Sequence, residues 1–77
     1  MSRRDDSVSL QDMLSHATEA VELLGDRSLD QLKNDRVLQL ALTRLIEVVG
    51  EAANRVSQAG RQQRADVPWP EVIGMRN

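Results

Sequence analysis

Cysteine, tyrosine and phenylalanine are absent from the 77 residues, and histidine and tryptophan occur once each, as His16 and Trp69. No disulfide framework and no thiolate metal site is therefore possible. A single histidine also excludes His-rich metal centres and any mechanism that draws two histidines from one chain. No apolar run approaches the length of a membrane span. The opening Met1-Ser-Arg-Arg-Asp-Asp has no apolar segment behind it that would make it a secretory leader. These absences lead us to expect a soluble, cytoplasmic protein without metal or cofactor.

What remains is one small domain rich in aliphatic side chains. The hydrophobic fraction is 40 %, carried by ten leucines, eight valines, seven alanines, three methionines, two isoleucines and Trp69. A chain of this size buries only about 60 % of its unfolded surface, so a lone monomer is marginal and an oligomer is expected. Net charge is −2, which argues against a generic polycation that coats nucleic acid. The charge is uneven. Residues 1–53 hold six basic and ten acidic groups, whereas residues 54–77 hold Arg55, Arg61, Arg64 and Arg76 against Asp66 and Glu71. Nine of the ten basic residues are arginine, the side chain suited to planar contacts with carboxylate or phosphate.

Helical spacing dominates and period-two alternation is nearly lacking. Leu10, Met13, Leu14, Ala17, Val21 and Leu24 form one apolar stripe, which predicts a helix from about Asp6 to Leu24. Asp5, Asp6 and Ser7 suit its start, and Gly25 suits its C′ position. Ser28-Leu-Asp-Gln31 is a capping-box pattern that opens a short helical turn. A longer helix then starts at Asn34 or Asp35. Its stripe is Leu38, Ala41, Leu42, Leu45, Val49, Ala52 and Val56, flanked by Ile46 and Ala53, and it predicts a helix to Ala59, about 25 residues or ~37 Å. Gly50 interrupts that stripe at a cost of ~1 kcal/mol against alanine, which points to close approach of another helix. Gly60 and the following Arg61-Gln-Gln-Arg-Ala read as a frayed end and loop. Pro70 fits the first position of a last helix, with Glu71 in its first turn and Val72, Ile73 and Met75 facing inward. That helix carries no stop signal, and the domain, residues 1–77, looks cut at its C-terminus.

No catalytic motif is complete: there is no phosphate-binding Walker loop, no Gly-x-Gly-x-x-Gly, no His-Glu-x-x-His and no nucleophile set with a usable histidine. His16 borders the α-helical stripe, where a boundary histidine is commonly a structural residue. Arg44, Glu47, Glu51 and Arg55 form a polar row at helical spacing. The simpler reading is a solvated face with pairs such as Glu51–Arg55, and the other is a row facing a site or partner. Trp69, the only large ring, is expected to plug the core at a helix entry.

Two stretches carry a resemblance. One is Asp35-Arg-Val-Leu-Gln-Leu-Ala-Leu-Thr-Arg-Leu-Ile-Glu-Val-Val-Gly-Glu-Ala-Ala, and the other is Val67-Pro-Trp-Pro-Glu-Val-Ile-Gly-Met-Arg-Asn. With the opening Arg4-Asp-Asp and Leu10-Gln-Asp-Met-Leu, they resemble the HepT-like toxins of the HEPN superfamily over nearly the whole chain. The resemblance implies an all-α fold, an antiparallel helical bundle that dimerises. It also implies an endoribonuclease toxin encoded beside a nucleotidyltransferase antitoxin of the MntA type, with RNA as substrate and no metal. The family motif is an arginine, four to six residues, then a histidine and commonly a tyrosine two residues further on, with both protomers lining one cleft. Arg76 and Asn77 match its first two positions. Arg76 would clamp a phosphate and stabilise developing charge, while the motif histidine would act as general acid or base and the antitoxin would modify the tyrosine. Neither that histidine nor any tyrosine occurs in these 77 residues. The expectation is a toxin of this family that is catalytically inactive as the present chain. The alternative is a non-enzymatic helical module that dimerises or binds the nucleotidyltransferase. A weaker third reading is a generic dimerisation domain.

Overall fold

The computed structural model describes residues 6–76. Among these the chain is helical with no strand: α1 (Asp6–Leu24), α2 (Leu29–Lys33), α3 (Arg36–Asn54), α4 (Gln58–Gln63) and α5 (Trp69–Ile73). The two 19-residue helices pack against each other over most of their length, α5 packs on α3, and α2 lies lightly against α3. They run antiparallel, because the start of α1 meets the end of α3: Asp6 contacts Ser57, and Asp12 contacts Arg55. The molecule is elongated, 48 × 23 × 19 Å.

Local signals act as expected in the first half. Helix α1 spans the length of its stripe and ends at Gly25, whose φ of +57° is a left-handed conformation that a side chain would strain. Ser28 forms a complete capping box on α2. Its hydroxyl accepts the Gln31 N–H at 3.1 Å, and its own N–H donates to Gln31 Oε1 at 2.8 Å. Asp35 caps α3 by accepting the Leu38 N–H at 3.0 Å.

The second half departs from expectation. Helix α3 stops at Asn54, five residues before Ala59, and a separate helix replaces the expected frayed end. The break has an identifiable cause. Ser57 adopts an extended backbone (φ −66°, ψ 161°) and its hydroxyl takes the Gly60 N–H at 3.0 Å, so it starts α4 rather than continuing α3. Asp6 of α1 holds that serine, accepting from its N–H at 2.9 Å and its hydroxyl at 2.5 Å. Arg61 then reaches back to the carbonyls of Val56 and Asn54, both at 3.1 Å, satisfying groups that the broken helix leaves open. In α5 the first residue is Trp69 and Pro70 is the second, one place later than expected. The helix ends at Gly74, whose N–H bonds to Pro70 O at 3.0 Å and whose backbone stays right-handed (φ −64°), so it is not a left-handed C′ glycine.

The core is small and lies at the end where α1 begins. Ala53, Val56 and Trp69 are its buried centre, with Leu10, Met13, Val67, Val72 and Ile73 packed around it. Trp69 plugs this core as expected, and its indole N–H donates to the carbonyls of Arg61 (3.1 Å) and Arg64 (2.9 Å). Burying the only large ring thus leaves its polar edge paired. Along the α3 stripe Leu38, Val49, Ala52 and Val56 are buried, while Ala41, Leu42 and Leu45 are half-buried and Ile46 is exposed. Val72 and Ile73 face inward, but Met75 is 38 % exposed.

Candidate functional site and the groove beside it

Arg76 is the one candidate site residue whose surroundings can be described, since Asn77 lies outside the described residues. After α5, the chain makes one more turn, with Met75 N–H bonded to Val72 O and Arg76 N–H to Ile73 O, both at 3.1 Å. That turn is laid directly on the C-terminal part of α3, at Gly50. A Cβ placed on Gly50 would come within 3.0 Å of Arg76 Cα and of the Met75 carbonyl carbon, and closer still to the Arg76 amide nitrogen. The gap in the α3 stripe therefore admits a close approach, as expected, but of the chain segment at Arg76 rather than of another helix. The Arg76 backbone is thereby seated on a rigid element, while its side chain remains exposed.

The polar row of α3 flanks this seat. Arg44 Nη1 lies 3.8 Å from Glu47 and 3.5 Å from Glu51. The expected Glu51–Arg55 pair does not form. Arg55 crosses instead to Asp12 of α1 at 3.5 Å, because the antiparallel packing brings α1 alongside it. The row is thus split, with its first part near Arg76 and its last residue tying the two long helices.

His16 has a local role. Its Nδ1 lies 2.7 Å from the Asp12 carbonyl one turn earlier on α1, within its own helix. Among the described residues no group of three His, Asp or Glu side chains is arranged to hold a metal ion, and no helix is long and apolar enough to cross a membrane.

Sequence reasoning did not anticipate the open groove of about 600 Å³ that runs between α1 and α5 over α3. Leu10, Met13 and Leu14 form one wall, Val67, Val72 and Met75 the other, and Trp69 and Val49 the floor. Arg64 stands on its rim. The signal was present in the α1 stripe, which is too long to be covered by the few apolar residues after Pro68.

The model of the family described as HepT-like, ribonuclease HepT-like, matches residues 13–77. The chain belongs to the HepT-like ribonuclease family. It is 32 % identical, over all 77 residues, to a protein of Methanocaldococcus jannaschii named "Putative RNase", of which it covers 71 %. It is 34 % identical over 68 residues to a protein of the same designation from Caldanaerobacter subterraneus subsp. tengcongensis, covering 83 % of this chain and 61 % of that one. A protein of Thermococcus cleftensis named "Probable ribonuclease HepT" is 27 % identical over 73 residues, 90 % of this chain and 66 % of that one. The chain thus spans between 61 % and 71 % of the length of these relatives. No solved structure matches it. The all-α fold and the family expected from the sequence both hold.

Proposed function

We propose that this chain is the ribonuclease-family toxin of a HepT/MntA-type pair, acting in the cytoplasm on RNA, with Arg76 as its phosphate-binding arginine. Asn77 is the second motif position in this reading. The observation that carries it is the seating of the Arg76 backbone on Gly50. A backbone seated on a packed helix fixes where the arginine side chain starts, which brings its guanidinium within reach of one region of α3, as a phosphate clamp that stabilises charge while the P–O bond breaks would need. Its planar fork donates two parallel N–H groups to phosphate oxygens.

The motif histidine, which would transfer the proton, has no counterpart among these residues. The single imidazole, His16, is engaged with the Asp12 carbonyl on α1 and is not part of the Arg76 motif. In this reading the 77 residues bind RNA phosphate without cleaving it. Incubating the purified protein with labelled single-stranded RNA tests this: no cleavage is expected, with weak binding that Arg76→Ala reduces. Cleavage that Arg76→Ala abolishes would overturn the claim of inactivity. Binding indifferent to Arg76 would overturn its role.

The open groove favours a second reading of the same chain as an association module. Leu14, Val21 and Leu24 continue the groove along α1 as exposed apolar surface. We propose that a second copy covers it, giving the dimer that the family resemblance implies, and that the nucleotidyltransferase antitoxin binds this dimer. Sedimentation of the protein alone and with a co-expressed nucleotidyltransferase checks both steps. A monomer with no binding to that partner would sink this reading.

A further inference from the structure

Two carboxylates and one guanidinium make up the part of the α3 polar row that flanks Arg76. Glu47 and Glu51 are both served by a single nitrogen of Arg44, at 3.8 and 3.5 Å, and among the described residues no other cation lies within ion-pair distance of either. The cluster thus carries one uncompensated negative charge. The Glu47 side chain is only 22 % exposed and that of Glu51 38 %, so water screens this charge incompletely. Arg76 enters at the adjoining position. Its backbone occupies the space that a side chain on residue 50 would fill, and positions three apart on a helix stand about 5–6 Å apart at Cβ, which places it next to Glu47. Helical side chains lean toward the N-terminus, so the Glu51 side chain leans back to the level of Gly50 and Glu47. Among the described residues the Arg76 guanidinium makes no ion pair, and the residue is exposed.

We propose that Glu47 and Glu51 are positioning residues for Arg76, holding its guanidinium over α3 in competition with Arg44. One edge of the fork faces the carboxylates and the other is left for a phosphate oxygen. The pair supplies the fixed geometry that a clamp requires, and its excess charge explains why two acids accompany one arginine in this row. This rests on the reading of Arg76 as a phosphate-binding arginine, but its test can be made without RNA.

Arginine side-chain NMR provides that test on the whole chain. The Nε–H signal of Arg76, assigned by its disappearance in Arg76→Lys, is followed for exchange with water. Exchange slower than that of the other exposed arginines is expected. Glu47→Gln with Glu51→Gln should remove the protection, Glu51→Asp should keep part of it, and Arg44→Ala should increase it by removing the competitor. A merely structural role for the acids would not make the last two changes run in opposite directions. Protection unchanged in the double variant, with helicity retained, would overturn the proposal, as would loss of protection in Arg44→Ala. If the double variant fails to fold, Arg44→Ala alone decides. Single-stranded RNA is then added to the wild type. A carboxylate-dependent signal that RNA leaves unmoved supports the positioning and removes the phosphate reading instead.

Discussion

At one end of the long helix pair, Ala53, Val56 and Trp69 are shut away from solvent beneath side chains from α1 and α5. At the other, Val21, Val37 and Leu40 stand 70 %, 77 % and 53 % exposed, with Leu38 the one large side chain buried there. Composition is not the difference, since leucine and valine are available at both ends. The difference is what crosses the helices. The closed end is overlaid by α4, α5 and the turn to Arg76, tied down through Asp6, Ser57 and Arg61, whereas the open end has only the five residues of α2. Candidate site and packed core coincide because the same segment supplies both: Trp69 anchors it, and a few residues later it delivers Arg76 to Gly50.

The largest test of this asymmetry removes the anchor. Trp69→Ala deletes the central ring of a small core and should cost about 3–5 kcal/mol, enough to unfold most of the protein. Urea unfolding followed by circular dichroism checks it, and a loss under about 1 kcal/mol would mean the ring is not a packed plug. Gly50→Ala is the sharper test because its sign is informative. At an ordinary helix position the change stabilises by about 1 kcal/mol. Here the added methyl meets the backbone at Arg76, so a loss of about 1–3 kcal/mol is expected, together with weaker RNA binding as the turn is pushed off α3. A gain in stability would show that nothing lies on Gly50.

These two positions also show what could be read from the residues in order. The bounds of α1 and the Ser28 capping box are decided by residues within a turn of one another and are legible, and the start of α3 is narrowed to Asn34 or Asp35. The end of α3 is not legible, because the serine that breaks it is held by Asp6, 51 positions away, and no local pattern records that partner. Likewise the exchange of an expected Glu51–Arg55 pair for Arg55–Asp12 follows from α1 lying alongside α3. Gly50 was legible as a place of close approach, but the identity of what approaches is tertiary. The motif likeness at Arg76 marked a candidate site residue, while its setting of groove, seat and acidic pair emerged only when the two halves of the chain were brought together.

A smaller effect separates the cap from the core. Ser57→Ala removes the acceptor for the Gly60 N–H and one of the two bonds to Asp6, and should cost about 1 kcal/mol by thermal unfolding. A negligible loss would place the α3–α4 break in backbone geometry rather than in the serine. It should leave self-association unchanged, since Ser57 lies outside the groove.

The smallest expected change in stability addresses the open side directly. Leu14 and Val21 are 62 % and 70 % exposed, so replacing each by serine should alter the unfolding free energy of the isolated chain by less than about 0.5 kcal/mol. If a second copy covers this surface, the same double variant should weaken self-association in sedimentation velocity while circular dichroism stays the same. That separation of effects follows from where the apolar area sits: burial within one chain contributes to folding, and burial between chains contributes only at concentrations where they meet. An unchanged sedimentation coefficient would mean that α1 is not the interface. The openness of this side would then have to be met by another face or another partner.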